Sequence, residues 1–269
     1  MTGVRNAPAQ PGNTPERVRE AAQRVLGYET LHPGQEEAVS ALLGGRDTLA
    51  ILPTGSGKTA IYELAGELLG GPTVVISPLI ALHRDQVSSL REHGLSVAAL
   101  NSSLPVRERH DVLASVEQRQ IGFLLLSPEQ LADEDVLAKL ASSKPVLAVV
   151  DEAHCVSEWG HDFRPDYLRL SNAFERLGRP VLLALTATAA PLVRDEIVQR
   201  LEMRDPLIIV GGFDRPNIHL AVERFDDEHA KRRAIAGAVR DAQKPLIVYA
   251  ATHRHVEEMA ETLSEDGCR

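Results

Sequence analysis

The chain has 269 residues, of which 43% are hydrophobic, and a formal net charge of −9 at pH 7. At roughly 150 residues per domain this length corresponds to about 1.8 domains. The acidic balance excludes a globally basic nucleic-acid coat and a polybasic membrane surface, but not a local basic groove. Its two cysteines, Cys155 and Cys268, form no CxxC pair and exclude a four-cysteine zinc site and a disulfide framework. No apolar run approaches the roughly 20 residues of a membrane-spanning helix, so we expect a protein of a reducing cytoplasm without membrane contact.

The first 14 residues are polar and lack the apolar core of a secretory signal, which predicts a disordered leader over 1–14. Five short segments rich in valine, leucine and isoleucine follow, at 48–52, 73–76, 122–126, 146–150 and 181–185. Apolar runs without polar alternation are typical of strands buried on both faces of a parallel sheet. Amphipathic segments lie between them at 60–69, 82–93 and 107–118. The alternation predicts an α/β fold, a doubly wound parallel sheet with helices on both faces.

The strand–helix rhythm breaks in a turn-rich connection at 211–217, where Pro216 forbids a continued helix. A strand-like segment at 218–222, a charged helix at 228–240, an apolar run at 246–249 and a last helix at 254–264 follow. The residues after 215 amount to roughly half of an independent α/β domain. We therefore predict a first domain over 15–212, and over 213–269 a linker with the incomplete start of a second domain.

A glycine-containing loop follows the first predicted strand and leads into a helix. Gly55 and Gly57 let the backbone approach a phosphate closely, and a helix N-terminus directs several N–H groups at it. Lys58 would neutralise β- and γ-phosphate oxygens, and the Thr59 hydroxyl would hold Mg²⁺. Leu52 stands where the strict eight-residue phosphate-loop pattern has its first glycine. A tight turn with an incidental lysine is the alternative.

The fourth predicted strand ends in acidic residues. Ligands of parallel α/β sheets bind at the carboxyl ends of strands, so this end should face the phosphate loop. Asp151 would hold Mg²⁺, and Glu152 would orient and deprotonate the attacking water. His154 is either a structural histidine or a sensor of nucleotide state. Together the two motifs predict nucleoside triphosphate hydrolysis.

The fifth predicted strand ends in two hydroxyl residues, and an aromatic-rich segment follows the acidic motif. Thr186 and Thr188 should lie beside the same site, unless they merely cap their strand. Residues 155–167, which we call the aromatic-rich segment, mix aromatic rings with arginine and histidine. Aromatic faces stack on nucleic-acid bases, and arginine adds phosphate or cation–π contacts. Core packing of these rings is the alternative.

These motifs resemble those of RecQ-family helicases of superfamily 2. The matching segments are 31–35, TGSGKT at 54–59, 77–82 with 85–87, DEAHCVSEWGHDFRPDY at 151–167, 185–189 and 213–218. The resemblance implies a RecA-like first domain, the start of a second one, and ATP and Mg²⁺ as ligands. It also implies single-stranded and partly duplex DNA as partners, unwinding in the 3′ to 5′ direction, roles in DNA repair and recombination, and a monomer of the bacterial cytoplasm or nucleoid.

The resemblance also assigns site residues, with Gln35 reading the adenine edge and Tyr28 stacking on the ring. The implied ATP-binding set is Tyr28, His32, Gln35, Thr54, Gly55, Ser56, Gly57, Lys58 and Thr59. The implied catalytic and metal-binding set is Lys58, Thr59, Asp151 and Glu152. The implied DNA contacts are Ser77, Pro78, Gln86, Trp159, His161, Phe163 and Arg164, and the implied coupling residues are His154, Thr186 and Thr188.

Two of the departures of the sequence from the family pattern bear directly on function. His32 stands where the family usually has arginine, which exchanges a permanent charge for a titratable one. No arginine-finger motif of a second motor domain follows residue 249, and such a finger is worth about 10³–10⁵ in hydrolysis rate. We therefore expect this chain to bind ATP and DNA, to hydrolyse ATP slowly and to unwind nothing. A DEAH/DEAD-type RNA helicase and a non-catalytic ATP- and nucleic-acid-binding module are the alternatives.

Overall fold

The computed structural model describes residues 14–102, 104–159, 163–212 and 218–265. Residues 1–13 of the predicted leader lie outside the described part, and Thr14 already begins the first helix. The chain divides into two compact units, Met1–Phe213 and Asp214–Arg269. None of the helices in the described ranges is both long and apolar enough to cross a membrane.

The first unit is built on a seven-stranded sheet in which every pairing is parallel. The strands are β1 Thr48–Ile51, β2 Thr73–Ile76, β3 Val97–Leu100, β4 Phe123–Leu126, β5 Leu147–Val150, β6 Val181–Thr186 and β7 Leu207–Val210. Their order across the sheet is β3-β4-β2-β5-β6-β1-β7. This order places β6 between β1 and β5, with β2 on the far side of β5.

The described residues of the first unit contain eight α-helices. They are α1 Thr14–Ala21, α2 Gln35–Leu43, α3 Lys58–Leu69, α4 Ile80–Glu92, α5 Val106–Glu117, α6 Glu134–Ser143, α7 Leu170–Arg176 and α8 Pro191–Arg200. Short π- or 3₁₀-helical segments lie at Ala22–Leu26, Pro128–Ala132, Ala153–Val156 and Pro165–Arg169.

The helices pack on both faces of the sheet, as predicted. One core cluster joins α1–α4 to one face, and a second joins α5–α8 to the other. Alternate strand residues divide between them: within β5, Leu147 and Val149 belong to the first cluster, Ala148 and Val150 to the second. Strands covered on both faces have no polar side, which explains their continuous apolar sequence. The doubly wound α/β prediction is confirmed.

The second unit contains α9 Glu228–Asp241 and α10 His253–Glu265 among its described residues. The prediction of a strand at 218–222 is wrong, because this segment is irregular and its Leu220 and Val222 are 86% and 90% exposed. Residues 246–249 are irregular as well, with Ile247 and Tyr249 exposed. A strand needs a neighbour to accept its hydrogen bonds, and the described residues of this unit provide none.

Candidate functional site

The predicted site residues gather at the carboxyl edge of the sheet. The phosphate loop, defined as residues 53–59, follows β1; Thr186 ends β6; and the acidic residues Asp151 and Glu152 follow β5. Because β1, β6 and β5 are neighbours in that order, three separate sequence motifs meet at one edge. The carboxyl ends of parallel strands are where α/β sheets bind their ligands.

Two glycines shape the phosphate loop. Gly55 and Gly57 adopt left-handed backbone angles, with φ of +82° and +70°, which cost a residue with a Cβ atom about 1–2 kcal/mol. Gly57 immediately precedes α3, and a Cβ atom on it would lie 2.9 Å from Gln35 Nε2. The buried Ser56 Oγ has no hydrogen-bond partner among the described residues. The loop thus combines a helix N-terminus with an unused polar atom, a combination that fits a phosphate group.

Lys58 and Gln35 hold the loop in place. Lys58 Nζ donates to Leu52 O at 3.0 Å. Gln35 is fully buried; its Nε2 donates to Ser56 O at 3.0 Å and Gly57 O at 2.8 Å, and its Oε1 accepts from His32 N at 2.8 Å. The sequence predicted adenine recognition by Gln35, whereas in this structure its amide group bonds to the loop itself. Base recognition by Gln35 stays a prediction.

A cavity of about 620 Å³ is lined by residues on both sides of Gln35 in the chain, but not by Gln35 itself. Leu31, His32 and Gly34 are among these lining residues. Tyr28, which directly follows a left-handed Gly27, is 41% exposed. A cavity with apolar and polar walls fits a nucleobase, and the stacking role of Tyr28 stays a prediction.

Asp151 is a largely buried carboxylate at the start of the acidic motif. Its Oδ1 accepts from Glu152 N at 3.0 Å, and Gln86 Nε2 approaches its Oδ2 at 3.4 Å. Burial raises the pKa of Asp151 above the usual range, and the positive charge of Lys58 acts in the opposite direction. A buried carboxylate with a raised pKa gains from a cation beside it. Together with the Thr59 hydroxyl one residue after Lys58, Asp151 is suited to hold Mg²⁺.

Glu152, His154 and Thr186 form a connected group. Glu152 has a φ of +49°, an unusual backbone angle for a residue other than glycine. His154 Nδ1 lies 3.3 Å from Glu152 Oε2 and 3.0 Å from Thr186 Oγ1. Thr186 Oγ1 in turn accepts from Thr188 N at 3.2 Å. The histidine therefore bridges the acidic motif and the end of β6, and local strain at Glu152 is typical of functional positions.

The aromatic-rich segment is hydrogen-bonded to the acidic motif that precedes it. The buried Tyr167 donates from its hydroxyl to Asp151 O at 3.2 Å, and burial raises the pKa of this hydroxyl. Arg164 Nη1 donates to Pro78 O at 3.3 Å. Trp159 is 79% exposed and Phe163 is half-buried, whereas His161 lies outside the described residues. One end of the segment is thus fixed to the acidic motif while its tryptophan faces solvent.

Three of the predicted DNA contacts, Ser77, Pro78 and Gln86, lie in the region that follows β2. Ser77 and Pro78 are buried, so their side chains do not face a surface that DNA could follow. Leu79 and Leu82 are exposed apolar residues of the same segment. Because Gln86 approaches Asp151, its side chain faces the acidic motif rather than solvent. A DNA contact by Ser77, Pro78 or Gln86 stays a prediction.

Sequence reasoning missed two features of this site. The first is the role of Tyr167, whose hydroxyl returns to the backbone of Asp151, 16 positions earlier in the chain. The proline two residues before Tyr167 is the signal for this return, because Pro165 starts the 3₁₀ segment Pro165–Arg169. The second is a contact between α8 and the aromatic-rich segment, formed by Ser157 and Glu196. No spacing in the sequence indicates this contact.

One protein-family model matches more than half of the chain. The DEAD/DEAH box helicase family model matches residues 32–196. The chain belongs to this family. The match covers the phosphate loop, the acidic motif and the end of β6, so the residues that meet at the sheet edge are those of the family's domain.

The relatives are RecQ-type proteins, which confirms the resemblance seen in the motifs. The chain is 40% identical over 245 residues to the probable ATP-dependent DNA helicase RecS of Bacillus subtilis, covering 91% of this chain and 49% of the relative. It is 36% identical over 244 residues to the ATP-dependent DNA helicase RecQ of Pasteurella multocida, covering 90% of this chain and 38% of the relative. The chain thus spans about half of the first relative and less of the second.

Solved helicase structures share the fold at low identity. The DUF1998 helicase MrfA bound to DNA and AMPPNP matches with a TM-score of 0.71 at 19% identity, covering 95% of this chain and 39% of that chain. The Mycobacterium smegmatis helicase Lhr bound to single-stranded DNA and AMP-PNP matches with a TM-score of 0.63 at 22% identity, covering 93% of this chain and 36% of that chain. The RecA-like fold of the first unit is confirmed.

Proposed function

We propose that the carboxyl edge of the sheet binds ATP with Mg²⁺ and couples the nucleotide to single-stranded DNA at the aromatic-rich segment. The observation that carries this proposal is the meeting of the phosphate loop, Asp151 and Thr186 on three neighbouring strands. Under this proposal residues 15–212 are the ATP-binding motor domain, and 213–269 are a linker with the start of a second one.

The residues divide the work of the nucleotide site. The N–H groups of the loop and of α3 would bind the phosphates, and Lys58 would exchange its carbonyl partners for β- and γ-phosphate oxygens. Thr59 and Asp151 would hold Mg²⁺, which when bound neutralises phosphate charge. Glu152 would orient and deprotonate the attacking water. The adenine would occupy the cavity lined by Leu31, His32 and Gly34, and Tyr28, which does not line this cavity here, would have to turn onto its ring.

The proposed DNA binding rests on the exposed ring of Trp159 and on a hydrogen bond that connects the aromatic-rich segment to the acidic motif. Trp159 offers an exposed ring for base stacking, a contact worth about 1–3 kcal/mol per base. Phe163, Arg164 and His161 would contribute further contacts. Tyr167 bonds to the backbone of Asp151, so a strand bound at this segment would be linked to the Mg²⁺ carboxylate through one hydrogen bond.

For the whole protein we propose an ATP-dependent DNA helicase of the RecQ type that moves 3′ to 5′ on single-stranded DNA. Its named relatives are DNA helicases, which supports DNA rather than RNA as the partner. A monomer acting in DNA repair and recombination in the bacterial cytoplasm or nucleoid is consistent with these relatives. For these 269 residues alone we propose slow hydrolysis of ATP.

The experiment is a titration of the chain with a fluorescent ATP analogue in magnesium buffer, for the wild type and for Lys58→Ala. We expect the variant to lose at least about tenfold in affinity, because Lys58 supplies a charge-assisted contact to the phosphates. The matched control is Lys139→Ala, a lysine on α6 whose described ion pair is with its helix neighbour Asp135, and it should bind as the wild type does. Equal affinity of Lys58→Ala and wild type would refute the nucleotide site.

The nucleic-acid arm compares single-stranded DNA with RNA of the same sequence, using the wild type and Trp159→Ala. We expect DNA to bind more tightly than RNA and the variant to lose about tenfold in DNA affinity, as expected for one stacked base. Tighter binding of RNA would favour the RNA-helicase alternative instead.

A further inference from the structure

The backbone just before Trp159 is held by a buried serine. Ser157 is fully buried, and its Oγ accepts a hydrogen bond from Trp159 N at 3.2 Å. The same Oγ donates to Glu196 Oε2 on α8 at 2.5 Å. Hydrogen bonds to a carboxylate are shorter and stronger than neutral ones. The position of Trp159 therefore depends on a side chain of α8.

A second contact joins the same two elements. Arg200 Nη2 donates to Glu158 Oε1 at 2.8 Å and lies 3.3 Å from Glu196 Oε1. Glu196 and Arg200 are four residues apart on α8, so they lie on one face of the helix. The side chain of Glu196 is 13% exposed, which shields its contacts from water more than an ordinary surface pair.

The helix that provides these contacts starts close to the nucleotide site. Pro191 begins α8 three residues after Thr188, in the connection from β6. Ile197 of α8 is buried in the same core cluster as Cys155 and Val156, which fixes α8 against the start of the aromatic-rich segment. Movement of the β6 end would therefore reach Trp159 through α8 as well as through the acidic motif.

We propose that Glu196 and Arg200 are positioning residues that hold Trp159 for DNA through Ser157 and Glu158. They form a second link between the end of β6 and the aromatic-rich segment, separate from the contact of Tyr167 with the backbone of the acidic motif. This inference rests on the proposed function, because it takes Trp159 as a DNA contact. Neither residue needs to touch nucleotide, since each acts through a residue of the segment.

The test uses Trp159 itself, the only tryptophan of the chain. Its fluorescence anisotropy is measured without DNA in the wild type, Ser157→Ala, Glu196→Gln and the double variant, and DNA is then titrated. We expect lower anisotropy and about fivefold weaker DNA binding in both single variants, the effect of losing a charge-assisted hydrogen bond. The double variant should resemble Ser157→Ala, because Glu196 acts on Trp159 N through the serine Oγ, which that variant already lacks.

Controls separate positioning from general damage. Glu134→Gln makes the same substitution on α6, at a residue whose described ion pair is with Arg176, and it should leave Trp159 unchanged. Affinity for the fluorescent ATP analogue should be kept in all variants that unfold at the wild-type temperature. Arg200→Ala, at a more exposed site, gives a second and milder variant, with about a twofold loss of DNA affinity expected.

Unchanged Trp159 anisotropy in both Ser157→Ala and Glu196→Gln would overturn the inference, whatever their DNA affinity. Equal effects of Glu134→Gln and Glu196→Gln would overturn it as well. If the substitutions lower the anisotropy but leave DNA affinity at the wild-type value, the DNA role of Trp159 in the proposed function fails instead, since the anisotropy without DNA tests the contact with α8 alone.

Discussion

One aspartate with little access to water lies where the strands begin, and another lies where they end. The two have very different hydrogen-bond partners. Asp47, before β1, accepts hydrogen bonds from Leu182 N at 2.9 Å, Arg204 N at 2.8 Å and Arg179 Nη2 at 3.0 Å. Asp151, after β5, accepts from its neighbour Glu152 N at 3.0 Å and from Gln86 at a longer 3.4 Å.

The difference fits a structural role for Asp47 and the proposed Mg²⁺-binding role for Asp151. Asp47 is paired with an arginine and joins three segments of the chain, so its charge is balanced within the fold. Burial raises the pKa of Asp151, because the fold does not fully balance its charge. A site that binds a cation has to leave some of this balance to its ligand. Under the proposed function, the carboxylate at the amino end of the sheet serves stability and the one at the carboxyl end serves binding.

The largest effect is expected on stability, from a substitution of Asp47. Asp47→Asn should lower the free energy of unfolding by about 3–5 kcal/mol, because it removes one charge of a buried pair and places an amide N–H against donors. Urea unfolding followed by circular dichroism measures this value. Asp205→Asn, at an aspartate whose side chain is 95% exposed, is the matched control. A loss below about 1 kcal/mol in Asp47→Asn would contradict the structural role.

The proposed Mg²⁺-binding role of Asp151 is tested by Asp151→Asn. Titration with the ATP analogue in magnesium and in EDTA should show tighter binding with magnesium in the wild type, and this gain should be about tenfold smaller in the variant. The free energy of unfolding should stay equal or rise, because the buried charge is removed. A variant that keeps the full magnesium effect would show that Asp151 is not a metal ligand.

The shape of the phosphate loop is tested by Gly57→Ala. The added Cβ atom would lie 2.9 Å from Gln35 Nε2 in a backbone with a φ of +70°. We expect a stability loss of about 1–2 kcal/mol from the left-handed backbone, with weaker nucleotide binding. Gly45→Ala has a similar φ of +76° and no atom near its Cβ, so it shows the backbone cost alone. Equal nucleotide affinity in both variants would contradict the role of the Gln35 contact.

A smaller effect is expected at Glu63 of α3, which is buried and pairs with His93 at 2.9 Å. Burial raises the pKa of Glu63, so the folded state favours its protonated form. The contribution of Glu63 to stability is therefore fully present below the usual glutamate pKa and declines as pH rises through the raised value. In Glu63→Gln this decline should disappear. Urea unfolding across the range from acidic to neutral pH measures the difference, and parallel curves for both proteins would contradict the prediction.

The sequence revealed most of the sheet, and the strands that it missed have a common position. The five strands predicted for the first unit are all interior, and the two unpredicted strands of its sheet, β3 and β7, are the edges. Val97–Leu100 is only partly buried in its middle, and Ile208 and Val210 of β7 are exposed. Edge strands lack the continuous apolar pattern because one side has no neighbour.

The site was predictable where its motifs stand next to a strand end. The phosphate loop, Asp151 and Thr186 meet as expected because parallel strands end at one edge. The direction of side chains was not predictable, and Gln35 and Gln86 both face groups other than the predicted ligands. Spacing along the chain cannot show which buried group needs a long amide side chain as its partner. The role of Glu196 was hidden for the same reason.

The most direct test of the account measures coupling between nucleotide and DNA. Single-stranded DNA is titrated against Trp159 fluorescence in the wild type and in Lys58→Ala, with and without the magnesium complex of a non-hydrolysable ATP analogue. If the two sites are coupled, nucleotide should change the DNA affinity of the wild type by about fivefold. The DNA affinity of Lys58→Ala should be the same with and without nucleotide. Equal DNA affinity of the wild type with and without nucleotide would contradict the account.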